Sequence, residues 1–456
     1  MDKKLISDFY KSDAPTYASA DNIRKIGSYI DGLKLSARKL IYTLFEKYPA
    51  QQIKTAQFAA FTAAFTNYNQ GENNLGGVVN TLAQSFMGTN NYPLLEGKGN
   101  FGNLFDKECA ATRYTYVKAS KYLDLFFNKT DRTIVGNQLY EGDKIEPLFY
   151  VPIIPVLLLN GSNGLSTGFR QVIHPRDIKE IIKYILSKLE DKTTDKLLLL
   201  PKYRGFIGEF KYIIDPETNE RSIECYGVIE KQNSTTYLIK ELPINTEYTK
   251  YIDFLDKLVD NKTIIDYIDK CDPKENKVLF EIKTTRDFTK KNDNNLKLLQ
   301  IFKLIKPISE IYNCIDQYNK ICEFKSIEEI LDAFIKIRLH YYDIRKNYLL
   351  TELRDKLILL TSKYIFVKNI CEDQIIINKK SKADIIKQIE AFPRISKIDD
   401  SYEYLLKMQL SSLTKEMMEK LAEEILKYKN EFNNIKSTDI KTMWLNDLTN
   451  LSKNLN

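Results

Sequence analysis

The sequence predicts a multidomain α+β chain, and three observations carry that prediction. At 456 residues it has length for roughly two to four domains, each with its own core. Between about residues 176 and 320, helical stretches alternate with β-branched runs such as Tyr237-Leu238-Ile239 and Lys277-Val278-Leu279-Phe280-Glu281-Ile282, which read as strands. From Ser326 onward apolar residues fall at an alternating three-four spacing, the pattern of a long helix with a coiled-coil seam.

Composition narrows the functional classes. Hydrophobic residues make up 43% of the chain, and no apolar run approaches the ~20 residues that span a bilayer. The start, MDKKLISDFYKSDAP, lacks the apolar segment of a signal peptide. Cysteines at 109, 225, 271, 314, 322 and 371 form no C-x-x-C pair. That spacing argues against a zinc or disulfide framework and predicts reduced thiols in a cytoplasm. With only His174 and His340 present, histidine acid-base chemistry has little material. The net charge of +7 is too mild to establish a polyanion partner, which needs clustered cations.

In chain order, residues 1–50 read as helical after a polar start. Arg24-Lys25 precede Asp31-Gly32-Leu33-Lys34, a turn followed by a helical run in which Lys34, Arg38 and Lys39 fall on an exposed face. From pattern alone that face is solvated surface. Lys54 to Ala60 is a good helix former, and a second helix over Val78–Phe86 follows a turn containing Gly71. Two helices so joined are a weakly specific helix-turn-helix signature. Next comes EGKGNFGNLFDKECAATRYTY, Glu96 to Tyr116, in which Gly97–Gly102 satisfies G-x-G-x-x-G. A dinucleotide site would need a preceding strand and a following helix. Thr89–Pro93 is instead a loop signal, and turn chemistry follows, so the glycines read as tight bends or as room for close backbone approach. Arg113-Tyr114 ends this stretch, a fixed cation beside a phenol.

From Glu146, prolines interrupt a β-rich apolar run before the turn Asn160-Gly161-Ser162-Asn163-Gly164. Leu165 follows and fits a core position. Lys290-Lys291 reads as solvated surface. Ser326-x-x-Glu329 is a capping box. The seam is Ile327, Ile330, Phe334, Ile337, Tyr341, Ile344 and Tyr348, then, after a slip near Leu349-Leu350, Leu353, Leu357, Leu360 and Tyr364. A second stretch carries Leu413, Met417, Leu421, Ile425, Tyr428, Phe432 and Ile435. Two long helices so separated suggest an antiparallel pair with a globular tip near 366–410, or else an internal helical bundle.

Several of these motifs, in this order, resemble the breakage-reunion region of type IIA DNA topoisomerases, as found in gyrase A and its topoisomerase IV counterpart. They are Asp31-Gly32-Leu33-Lys34 with Arg38-Lys39, Glu96-Gly97-x-Gly99-Asn100-Phe101-Gly102, Ala110-Ala111-x-Arg113-Tyr114-Thr115, Asn160-Gly161-x-x-Gly164-Leu165, Pro201-x-Tyr203-x-Gly205-Phe206, the segments 391–394 and 404–408, and Trp444 with Asp447-Leu448. The resemblance covers about residues 24–450 and is most similar to the medium subunit of tailed-phage enzymes, without gyrase's DNA-wrapping C-terminal domain. It implies a winged-helix (CAP-like) DNA-binding and cleavage domain over 1–145, an α/β tower domain over 146–320, and a long antiparallel coiled coil with a small helical C-gate for dimerisation over 321–456.

The resemblance also implies roles. Tyr114 is the nucleophile that makes a 5′-phosphotyrosyl link, with Arg113 stabilising charge on the phosphate. A phenol, ordinarily near pKa 10, needs such activation. Both side chains reach one phosphate only where the backbone bends, since neighbours on a strand point to opposite faces. Arg24, Lys34, Arg38, Lys39, Lys54, Gln70 and Lys98 are DNA-binding, and Leu165 is the wedge that helps bend the duplex. Gln70 stands where the family has histidine; an amide donates a hydrogen bond but carries no charge. Asn73 and Gly77 replace the quinolone-contacting serine and acid, which predicts weak quinolone sensitivity. Neither Asp-x-Asp nor G-x-x-x-x-G-K-[ST] occurs, so Mg2+ and ATP are expected on a companion ATPase/metal-binding subunit. The expected assembly is a homodimer core on double-stranded DNA, joined to that companion but not to a membrane. A non-cleaving scaffold of the same fold and a purely structural coiled-coil protein are the alternatives.

Overall fold

The first long helix, α1 (Ala14–Lys25), opens with Pro15 in its first turn, where the missing N–H has no intrahelical partner to lose. The structure, a computed structural model, describes every residue except 1–5, 49, 194–197, 215–220, 293, 399, 410–413 and 456. Leu413 of the second seam and the first five residues of the polar start therefore lie outside the described residues. The chain divides into two compact units, Met1–Arg338 with Leu448–Asn456, and Leu339–Asp447.

In the first unit α2 (Leu35–Lys47) buries Leu40, Ile41 and Leu44. Strand β1 (Ile53–Lys54) leads directly into α3 (Thr55–Phe65). After Gly71, at φ +85°, comes α4 (Glu72–Ala83). The helix-turn-helix is present, but its second helix starts at Glu72 rather than Val78. Asn73 and Asn74 are poor helix formers alone; burial of Leu75 and Val79 on one face overrides them. Strands β2 (Leu95–Lys98) and β3 (Tyr116–Ala119) complete an antiparallel sheet in the order β1-β3-β2, with Tyr116 opposite both Lys54 and Lys98.

The apolar run after Glu146 is not β-structure. Tyr150, Val151, Ile153 and Ile154 are buried in irregular backbone, followed by a short helix, Val156–Asn160. Pro147, Pro152 and Pro155 remove the amides that a strand ladder needs. A hairpin of β4 (Ser162–Leu165) and β5 (Arg170–Ile173) follows, and β5 continues into a sheet with Ile311–Ile315 and then Ile321–Phe324. Two further antiparallel sheets draw their strands from between 209 and 308. One orders Val228–Lys231, Thr236–Glu241, Phe280–Lys283 and Asp266–Asp269; the other orders Ile305–Ile308, Arg221–Tyr226 and Glu209–Ile214. Tyr237, Ile239, Leu255, Phe280 and Phe302 form the core of the larger one.

Helix α5 (Ile327–Cys371) runs 45 residues without a break at the Leu349-Leu350 slip, roughly 67 Å at helical rise. Its start carries two capping bonds: Ser326 Oγ accepts from Glu329 N–H, and Glu329 Oε2 accepts at 2.7 Å from the N–H of Lys325, one residue before the cap. Within the second unit α6 (Lys415–Ser437) packs on α5 through Leu360, Val367 and Leu421, with Tyr364, Met417, Ile425 and Tyr428 alongside. A separate tip core gathers Phe366, Ile375, Ile389, Ile395, Tyr402 and Leu405. Trp444 is fully buried near Tyr342, and Asp447 accepts from Tyr342 and Arg345, each at 2.7 Å.

Candidate active site

Tyr114 sits on a turn, Thr112–Tyr114, immediately before β3. Its N–H donates to Ala111 O at 2.8 Å, which supplies the bend that an extended strand would lack. The first amides of α3 would otherwise have no partner; Thr55 N–H donates to Thr115 O at 2.9 Å and Ala56 N–H to Thr112 O at 3.2 Å. Thr115 Oγ1 donates to Thr55 Oγ1 at 2.8 Å, both residues fully buried. From α4, Gly76 leaves room for Thr112, whose Cγ2 would lie 3.1 Å from an added Cβ. The turn is thus held by the first helix and packed by the second, while the Tyr114 ring stands 67% exposed. Arg113 lies beside it, its guanidinium carbon 5.0 Å from the ring centroid.

The glycine-rich segment does what its bends suggest. Gly99 and Gly102 have φ +116° and +82°, and a Cβ on Gly102 would lie 2.8 Å from Lys107 O. Asn100 ties the loop together: its Oδ1 accepts from Gly102 N–H and its carbonyl from Ala110 N–H. No helix follows the motif before β3, so the pattern lacks the helix that a dinucleotide site requires.

The structure corrects the expectation that Arg38 and Lys39 are exposed. They are 4% and 6% accessible. Arg38 forks onto Asp31 through Nε at 2.8 Å and Nη2 at 3.1 Å, while Lys39 Nζ reaches Glu146 and donates to Thr66 O at 2.7 Å. The reason lies in Asp31, which is completely buried and also accepts from Leu33 and Tyr150 N–H. A buried carboxylate must be neutralised, and the helix face that periodicity places outward supplies the cation. Lys34 is part-buried, donating to Asn163 O at 2.6 Å, and burial pulls its pKa below the usual lysine range.

The other expected positions lie within the same unit. Lys98 and Gln70 are exposed, and Gln70 Nε2 donates to neighbouring Asn69. Lys54 Nζ stands 5.8 Å from the Tyr116 ring. Arg24 pairs with Asp21 at 3.1 Å. Leu165 is 73% exposed, so the core reading of that residue fails. Sequence reasoning missed Asp21, Thr55 and Thr115. Asp21 is detectable as an acid one helical turn before Arg24-Lys25; the two threonines meet across a long sequence gap that no local pattern records. Among the described residues no group of three or more His, Cys, Asp or Glu is placed to hold a metal ion.

A sequence model for the A-type chain of DNA gyrase/topoisomerase IV matches residues 24–449. The chain belongs to this family. The topoisomerase likeness extends to the mitochondrial DNA topoisomerase 2 of Dictyostelium discoideum, 31% identical over 98% of this chain and 35% of that protein. DNA topoisomerase 2 of Saccharomyces cerevisiae is 30% identical, over 97% and 34% respectively. The chain therefore spans about a third of these curated relatives. Among solved structures, the Plasmodium falciparum topoisomerase II DNA-binding, cleavage and re-ligation domain superposes with TM-score 0.84 at 28% identity, over 98% of this chain and 64% of that one. The chain thus carries the type IIA breakage-reunion domain. No helix among the described residues is long and apolar enough to cross a membrane.

Proposed function

We propose that this chain is the DNA-cleavage subunit of an ATP-dependent type II DNA topoisomerase, changing DNA topology by passing one duplex through a transient break in another. The observation that carries this reading is the exposed Tyr114, on a turn clamped to a helix-turn-helix and next to a guanidinium. The Tyr114 oxygen attacks a backbone phosphorus. A P–O bond to tyrosine forms, the bond to the 3′ oxygen breaks, and the phenolic proton leaves while the 3′ oxygen gains one. One phosphodiester replaces another, so the reverse step reseals the strand without an external energy source. Arg113 neutralises charge on the phosphate as it passes through its crowded transition state. Arg24, Lys34, Lys54 and Lys98 serve as phosphate contacts; Arg38 and Lys39 hold the fold beneath them.

Two copies of the chain are needed to cut two strands, which fits a two-fold dimer. A divalent cation would balance phosphate charge; the sequence carries neither Asp-x-Asp nor G-x-x-x-x-G-K-[ST], and in this reading a companion subunit supplies both that ion and the ATPase. A second reading, a DNA-binding scaffold of the same fold that no longer cuts, is favoured by one feature: the uncharged Gln70 in the family's histidine position. The test is to assemble the chain with its companion subunit, incubate with labelled DNA and denature with detergent. A covalent adduct that disappears in Tyr114→Phe supports cleavage; no adduct from the wild-type assembly supports the scaffold.

A further inference from the structure

Asp21 is 1% accessible near the end of α1, and both its oxygens are doubly occupied. Oδ1 meets Arg24 Nη2 at 3.1 Å and Lys25 Nζ at 3.0 Å. Oδ2 accepts from the Thr167 N–H and from Thr167 Oγ1, each at 3.0 Å. Burial alone would raise this carboxyl, but Lys25 and Thr167 hold it below its ordinary value. Thr167 lies at the tip of the β4–β5 hairpin, where Ser166 N–H donates to Phe169 O at 2.9 Å. Two residues earlier the same hairpin presents the exposed Leu165. Next to Leu165 the hairpin is pressed onto the same helix end: a Cβ on Gly164 would lie 2.2 Å from Lys25 O. One carboxylate therefore joins two cations on a helix to the hairpin that displays an apolar side chain, across 146 positions of sequence.

We infer that Asp21 is a positioning residue that locks the Leu165 hairpin in register with Arg24, so that the wedge and this phosphate contact act on DNA as one rigid body. This rests on the DNA-cleavage reading above. The physical need is plain: an apolar wedge gains from unstacking a base step only if the phosphates beside that step are held where the bend requires them. A hairpin free to swing would let the duplex straighten without losing its ionic contacts.

The experiment uses the full chain assembled with its companion subunit, together with a short duplex carrying a fluorophore at each end. Bending is read as energy transfer. Leu165→Ala is expected to lose at least half of the bending signal, Asp21→Ala a similar amount, and the double variant no more than either alone. Asp21→Asn keeps an acceptor for Thr167 and is expected to recover part of the signal, which a general loss of stability would not allow. In the absence of DNA, amide hydrogen exchange at Thr167 in Asp21→Ala is expected to rise at least tenfold, with acceleration confined to 162–173. Losses that add in the double variant, or normal bending by Asp21→Ala, or unchanged exchange at Thr167, overturn the inference while leaving the cleavage reading intact. A wild-type assembly that leaves DNA straight, or a Leu165→Ala assembly that bends it fully, removes the wedge itself and the inference with it.

Discussion

Replacing Arg38 and Lys98 separately by methionine distinguishes a cation that serves the fold from one left for DNA. Arg38→Met keeps helix propensity and approximate length, but strips both guanidinium contacts from Asp31, at 2.8 and 3.1 Å. Asp31 has no access to water, and its remaining donors are the amides of Leu33 and Tyr150. Breaking such a buried pair costs about 3–5 kcal/mol; the two surviving amide bonds place this case near the lower end. Lys98→Met on the exposed wing should cost less than about 0.5 kcal/mol. DNA affinity should respond oppositely. Losing one phosphate contact lowers the slope of log K against log salt by about 0.9, which is expected for Lys98→Met and not for Arg38→Met in its folded fraction. Urea unfolding followed by salt titration of a fluorescent duplex measures both. An Arg38→Met chain with wild-type stability and a slope reduced by about one would refute the assignment of Arg38 to the fold.

Three further expectations are open to test. The covalent adduct should vanish in Tyr114→Phe while duplex affinity stays within about threefold, because a phosphotyrosyl bond needs the phenol and binding rests on the cations. Burial pushes Glu241 up to about 7. Between its unfolded value of 4.5 and 7 the folded chain keeps a proton the unfolded chain has released, so stability should fall as pH rises through that window, by about 3 kcal/mol at most. Glu241→Gln should flatten that slope in denaturation series at pH 5 and pH 8; a slope unchanged by the substitution would contradict it. Finally, Asn73 is exposed on α4 and an added Cβ at Gly77 would meet open space; an amide and a bare glycine thus stand where the family resemblance implies a quinolone-contacting serine and acid. A low quinolone dose should leave the level of cleaved DNA unchanged, and a clear rise would defeat this expectation.

The sequence by itself determined the elements whose cause is local. The three-four apolar spacing after Ser326 specifies α5 because one helical face must be buried, and the capping box marks its start. Gly71 sets the turn between α3 and α4, and the Glu96–Tyr116 motif singles out Tyr114 among 29 tyrosines. Tertiary structure decided whatever depended on a partner distant in sequence. Periodicity placed Arg38 and Lys39 outward, yet Asp31 and Glu146 draw them in, since a buried carboxylate demands a cation whichever face carries it. Local pattern left Leu165 as readily core as surface; it stands exposed on a hairpin that Asp21 fastens to α1 and whose Gly164 lies against Lys25 O. The tyrosine turn is tied to α3 by a contact no local pattern could contain: two threonine hydroxyls, 60 positions apart, that meet at 2.8 Å.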